Sequence, residues 1–122
     1  MSDKKTVLIV DDSKVSRMMI SAIIKEKQPE WLLLESGNAD ETRELAKTNS
    51  INFFSIDLNM PGKDGLELIG LLKGKYKDAK FALLTANIQE HTHESAKNLG
   101  AICINKPITE NSISEMLDFF ND

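Results

Sequence analysis

The stretch Thr6-Val-Leu-Ile-Val-Asp-Asp12 decides the fold. Its first five residues are β-branched or apolar without alternation, so they read as a short strand covered on both faces, as in parallel sheets. The run stops on two acids. Residues 13–27 follow with Val15, Met18, Met19, Ala22 and Ile23 at helical spacing, a stripe that predicts a core-facing helix with Met18 and Met19 in or beside the core. Strand, acidic end, helix: the same unit recurs along the chain. Apolar runs at 31–34, 53–56, 81–84 and 101–104 predict four further strands, starting 20 to 28 residues apart. Between them, Asn38 with Glu41, Asp64 with Glu67, and Asn87 with Glu90 have the spacing of helix N-caps, and Thr109 caps a last helix carrying Ile113, Met116, Leu117 and Phe120. Gly74 and Gly100 stand where helix ends are expected. Alternating strands and helices at this pitch imply right-handed crossovers. The expected fold is α/β: a five-stranded parallel sheet, doubly wound in the flavodoxin-like order 2-1-3-4-5, with helices on both faces.

Composition is consistent with one domain over residues 1–122. The chain has 15 Lys+Arg against 19 Asp+Glu, a net charge of −4, and 41% hydrophobic residues. No basic block exists to bind nucleic acid. No apolar run approaches the ~18 residues of a membrane span. A single cysteine, Cys103, excludes an internal disulfide and a cysteine-based zinc site. A cytoplasmic setting is expected.

Polar residues gather at the carboxyl ends of the strands. Asp11 and Asp12 end the first, Asp57 the third and Thr85 the fourth, while Lys106 follows the fifth. In an open α/β sheet the ligand crevice lies beyond those ends, between strands one and three. Asp12 and Asp57 therefore meet although 45 positions separate them. Converging carboxylates repel unless a cation neutralises them. All-oxygen ligands favour Mg²⁺. Taken singly, each residue has a plainer reading: Asp12 or Ser13 as a helix cap, Asp57 as a loop acid, Lys106 as a surface lysine. Their joint occurrence at several strand ends favours a site.

Asp11-Asp12, the stretch Asp57-Leu-Asn-Met-Pro-Gly-Lys-Asp-Gly65, Thr85-Ala86 and Lys106-Pro107 together resemble the receiver domain of two-component response regulators, in form the stand-alone CheY-like kind. The resemblance runs the length of the chain. It implies that Asp57 is the phosphoacceptor and that Asp12, Asp57, the Asn59 carbonyl and, through water, Asp11 hold Mg²⁺. It also implies that Thr85, Ala86 and Lys106 receive the phosphoryl oxygens and that the Lys106–Pro107 bond is cis. Such a protein is not an enzyme beyond catalysing its own phosphorylation and dephosphorylation. Its partners would be a sensor histidine kinase or phosphotransfer protein and an unnamed downstream target.

One position departs from the pattern. Cys103 stands where an aromatic residue commonly follows the Thr85 switch, so the readout should rest more on the loop after strand four. Asn59 and Asn87 occupy positions that tune the phosphoryl lifetime, and neutral amides there can orient water but deprotonate it poorly. Two other functions compete with the stand-alone reading. One is a receiver belonging to a longer regulator with an output domain. The other is a small aspartate-nucleophile phosphatase, against which stands Asn59, where a general acid would be needed. His91 and His93, two apart, face different sides of a helix and cannot pair as ligands.

Overall fold

The computed structural model describes residues 4–86 and 89–122. Five strands alternate with five helices: β1 (Thr6–Val10), α1 (Lys14–Lys27), β2 (Leu32–Ser36), α2 (Ala39–Thr48), β3 (Phe53–Asp57), α3 (Gly65–Lys75), β4 (Lys80–Thr85), α4 (Glu90–Asn98), β5 (Ile102–Asn105) and α5 (Glu110–Asn121). All strand pairs are parallel and the order is β2-β1-β3-β4-β5, as the strand–helix alternation requires.

Side-chain alternation splits the core into two layers. Val7 and Ile9 face α1 and α5, packing with Ile20, Ile24, Ile113, Met116 and Phe120. Leu8 and Val10 face the other way, with Phe54, Ile56, Leu68, Leu72 and Phe81. Phe54 and Phe81 stack at 4.9 Å in one layer, and Phe53 and Phe120 at 4.6 Å in the other. Trp31 leans on Phe53, closing the amino-terminal edge of the sheet.

Local signals account for most helix starts. Ser13 accepts from the Ser16 amide, Asn38 from Glu41, Asp64 from Glu67, and Thr109 from Ser112 in a reciprocal capping box. Gly100, at φ +78°, follows α4 in the left-handed conformation that glycine adopts without penalty.

Three expectations need correction. Val15, Met18 and Met19 are 66%, 58% and 46% exposed, and the core side of α1 is Ile20 and Ile24. The helix has more apolar residues than one face, and the face that closes on the sheet is set by where β1 releases the chain. Gly74 lies inside α3, which runs on to Lys75, because the turn there is already held by tertiary packing of Leu72 and the Tyr76 amide bonds the Leu72 carbonyl. α4 begins at Glu90 with Gln89 at the cap position, so the helix start expected at Asn87 falls too early, and Asn87 lies outside the described residues. Among the described residues no helix is long and apolar enough to cross a membrane.

Candidate functional site

The site forms because the register delivers four chain segments to one edge. Val10 pairs with Ser36 and with Ile56, Asp57 with Leu84, and Thr85 with Asn105. The next residues of β1 and β5 therefore emerge beside the end of β3. The ladder continues one step past each strand: the Asp11 amide donates to the Ser36 carbonyl at 3.0 Å, and the Lys106 amide to the Thr85 carbonyl at 2.9 Å. These bonds aim the side chains before any ligand arrives. The Lys106–Pro107 peptide is cis.

Asp57 is 5% exposed and Asp11 1% exposed, while Asp12 lies open to solvent. One carboxylate oxygen from each of the three lies within 4.8 Å of the others. Lys106 Nζ donates to Asp57 Oδ1 at 2.9 Å and lies 3.6 Å from Asp11 Oδ2. Asp11 Oδ1 accepts the Ser13 amide, but its buried Oδ2 accepts no hydrogen bond. A buried carboxylate oxygen with no hydrogen bond, beside two further acids and with a single lysine shared among them, leaves more negative charge than Lys106 alone offsets. The residues present thus fit a hard divalent ion held by oxygens.

Burial raises the Asp57 carboxyl above its ordinary range; the Lys106 hydrogen bond works against that and the Asp11 charge adds to it. For Lys106, burial pulls downward, but its hydrogen bond to Asp57 and the charges of Asp57 and Asp11 outweigh burial and hold the ammonium above its usual value. The lysine is held more firmly as an ammonium, and Asp57, even with its Lys106 pair, is harder to ionise here than in water.

Thr85 is fully buried at the end of β4 and Ala86 is exposed just beyond it. Asn59 is exposed between buried Leu58 and Met60, in a loop closed by the Gly65 amide on the Leu58 carbonyl. Cys103 is half-buried against the α4 side of the core, and burial followed by the Glu115 charge pushes its thiol up, away from reactive thiolate. His93 Nε2 lies 3.2 Å from Asn105 Oδ1, tying α4 to β5, and His91 is exposed.

Two residues of the site were missed in the sequence. Gly65 packs directly on the Asp57 carbonyl. Arg17, a turn into α1, reaches back to the Asp11 carbonyl. A glycine after a cap acid, and an arginine one turn into α1 with an acid at the end of the second apolar run, were the available signals.

Comparison with known proteins gives a consistent picture. A family model described as response regulator receiver domain matches residues 7–118. The chain is 30% identical over 114 residues to the transcriptional regulatory protein PdtaR of Mycobacterium tuberculosis, covering 93% of this chain and 53% of that protein. It is 30% identical over 99 residues to YvrH of Bacillus subtilis, covering 81% and 41%. The chain thus spans about half the length of the curated relatives it matches. Among solved structures, the chemotaxis protein CheY4 of Vibrio cholerae superposes with a TM-score of 0.85 at 23% identity, covering 94% of this chain and 97% of that one. The response regulator TrrA of Thermotoga maritima, in complex with Mg²⁺ and BeF, superposes with a TM-score of 0.82 at 25% identity, covering 95% and 98%.

Proposed function

The chain belongs to the response regulator receiver domain family of two-component signalling, and from that membership we propose that it takes a phosphoryl group onto Asp57 from a phosphohistidine and signals by phosphorylation-dependent protein–protein binding. The observation that carries this reading is the buried Asp57 carboxylate, ion-paired to Lys106 at 2.9 Å beside Asp11 and Asp12. An Asp57 oxygen attacks phosphorus, the O–P bond forms as the N–P bond breaks, and the departing imidazole takes a proton. A carboxylate is a weak nucleophile, so the rate rests on positioning and on charge opposite the equatorial oxygens. Lys106 supplies one such charge. Asp11, Asp12, Asp57 and the Asn59 carbonyl would hold Mg²⁺, which when bound supplies the rest of the neutralising charge. The relative TrrA, seen with Mg²⁺ and BeF, supports that choice of ion. Thr85 and the Ala86 amide complete the set of hydrogen-bond donors to the phosphoryl oxygens, with Thr85 as the trigger that carries the change outward. A half-buried thiol at Cys103 offers little steric resistance, so the loop from residue 86 to 90 carries most of the switch. Asn59 and Asn87 tune how fast water removes the phosphoryl group.

Incubation with acetyl phosphate and Mg²⁺ tests the reading by intact mass. One phosphoryl group is gained by the wild type, and none by Asp57→Asn or in the presence of excess chelator. Folded wild-type protein that gains nothing overturns it.

The phosphodonor reaches Asp57 past α1. Val15, Met18 and Met19 stand exposed on the helix that begins two residues after Asp12, and scattered single apolar residues need no account but a stripe does. Docking of an apolar helical face of the donor there supplies one. With Met18→Glu, transfer from a phosphohistidine protein falls by about tenfold more than transfer from acetyl phosphate, the effect of one ~1.4 kcal/mol contact. Equal losses from both donors would put docking elsewhere.

A second reading is that this receiver works within a longer regulator, which the half-length coverage of PdtaR and YvrH favours. The length of the native open reading frame separates the two.

A further inference from the structure

We propose that Arg17, anchored by Glu35, is a positioning residue that fixes the peptide between Asp11 and Asp12 and thereby sets the affinity of the acidic cluster for a divalent cation. The inference rests on the cation-binding reading above.

The Asp11–Asp12 peptide is the hinge on which two of the three acids turn. On its amino-terminal side the chain is fixed by the ladder bond from the Asp11 amide to Ser36. Its carbonyl is held from a side chain: Arg17 Nη1 donates to Asp11 O at 2.6 Å. Rotation of that peptide would swing the exposed Asp12 carboxylate relative to the buried pair. Arg17 is itself fixed, because its Nε donates to Glu35 Oε1 at 2.9 Å, just past the middle of β2. The Arg17 side chain is 18% exposed and that of Glu35 42%, so the guanidinium is largely covered while the carboxylate that anchors it meets water.

The forked geometry is the essential part. Arginine bonds two acceptors in fixed relative directions, which a lysine ammonium on a flexible stem does not reproduce. Glu35 has a further effect. Without it, a guanidinium six residues after Asp11 is free to turn toward the three carboxylates and compete with the cation for them. Partners that orient ligands without touching the metal typically change affinity by about 10- to 100-fold when lost.

Calorimetric titration with Mg²⁺ tests this on the unphosphorylated protein. Arg17→Lys keeps the charge and loses the fork: its dissociation constant rises by about tenfold, and the amides of Asp12 and Ser13 exchange hydrogen faster even without metal. Glu35→Ala shifts affinity in the same direction, and the double variant Arg17→Ala with Glu35→Ala is no worse than Arg17→Ala alone, since both act through one clamp. The acetyl phosphate reaction of Arg17→Lys recovers to the wild-type rate at saturating Mg²⁺, which a general structural defect would not allow. Wild-type affinity in Arg17→Lys, or a rate defect undiminished at saturation, overturns the inference. If Arg17→Lys does not fold, Glu35→Ala decides by the same measurement, unchanged affinity counting against the clamp. A wild type that binds no Mg²⁺ overturns the cation reading itself, and this inference with it.

Discussion

Gly65→Ala lowers the stability of this protein by about 3 kcal/mol, at the upper end for overpacking, and reduces phosphorylation of Asp57 with it. A Cβ at position 65 would lie in steric overlap with the Asp57 carbonyl oxygen, 3.0 Å from its carbonyl carbon and 2.9 Å from Leu83 Cδ1. The clash is with backbone of a strand hydrogen-bonded on both sides, between β1 and β4, so little can yield. Relief requires α3 to lift from β3, which breaks the Gly65 amide bond to Leu58 and shifts the loop that presents Asn59. Two other glycines calibrate the effect. Gly70 sits in mid-α3 with nothing within 4 Å of a new Cβ, so Gly70→Ala stabilises by roughly 0.5–1 kcal/mol. Gly62 also has open space but a φ of +84°, so Gly62→Ala costs about 1 kcal/mol through backbone strain alone. Urea unfolding of the three variants gives the order directly. If Gly65→Ala is as stable as wild type, the close seating of α3 on the phosphoacceptor strand is wrong.

Gly65 also marks the boundary of what the sequence made legible. Strand positions followed from unbroken apolar runs, and helix starts from cap residues, because both signals are local. Asp11, Asp57 and Lys106 could be brought together without coordinates, since parallel pairing leaves strand ends one place to go. What escaped depends on rotation of an element about its own axis. α1 offers two apolar stripes, Val15-Met18-Met19 and Ile20-Ile24, and helical spacing cannot say which one meets the sheet. The same ambiguity hid Arg17, whose role exists only once Ile20 and Ile24 face inward and turn it toward β2. Gly74 misled for the converse reason: a helix-breaking tendency of about 1 kcal/mol is outweighed when the turn before it is anchored by a buried Leu72.

Asp57→Asn is more stable than wild type when no divalent cation is present, and the order reverses when Mg²⁺ is added. The ion pair with Lys106 suggests the opposite, since removing one partner of a buried pair is ordinarily destabilising. Here burial and the neighbouring Asp11 outweigh that pair, for the folded protein raises the Asp57 carboxyl above its ordinary value of 3.8. The ionised form is therefore the disfavoured one in the fold. Asparagine keeps an oxygen to accept the Lys106 hydrogen bond, and Lys106 retains Asp11. Relief at a functional site of this kind commonly yields about 1 kcal/mol. The pH dependence carries the same sign. Between 3.8 and the raised folded value the native state holds a proton that the unfolded chain has lost, so this group's contribution to stability falls as pH rises through that window and is least favourable above it. The advantage of Asp57→Asn is accordingly greatest above that window and shrinks as the wild-type carboxyl becomes protonated on acidification. Added Mg²⁺ stabilises the wild type by about 2.7 kcal/mol at a hundred times its dissociation constant, or roughly 10 °C in melting temperature for a domain of this size. The variant has one carboxylate fewer and gains less. Melting curves at neutral and acidic pH, with and without Mg²⁺, test both halves. A variant that melts below wild type in chelator would mean that the Lys106 pair outweighs burial, and that the unmet charge on this aspartate is not what draws the cation in.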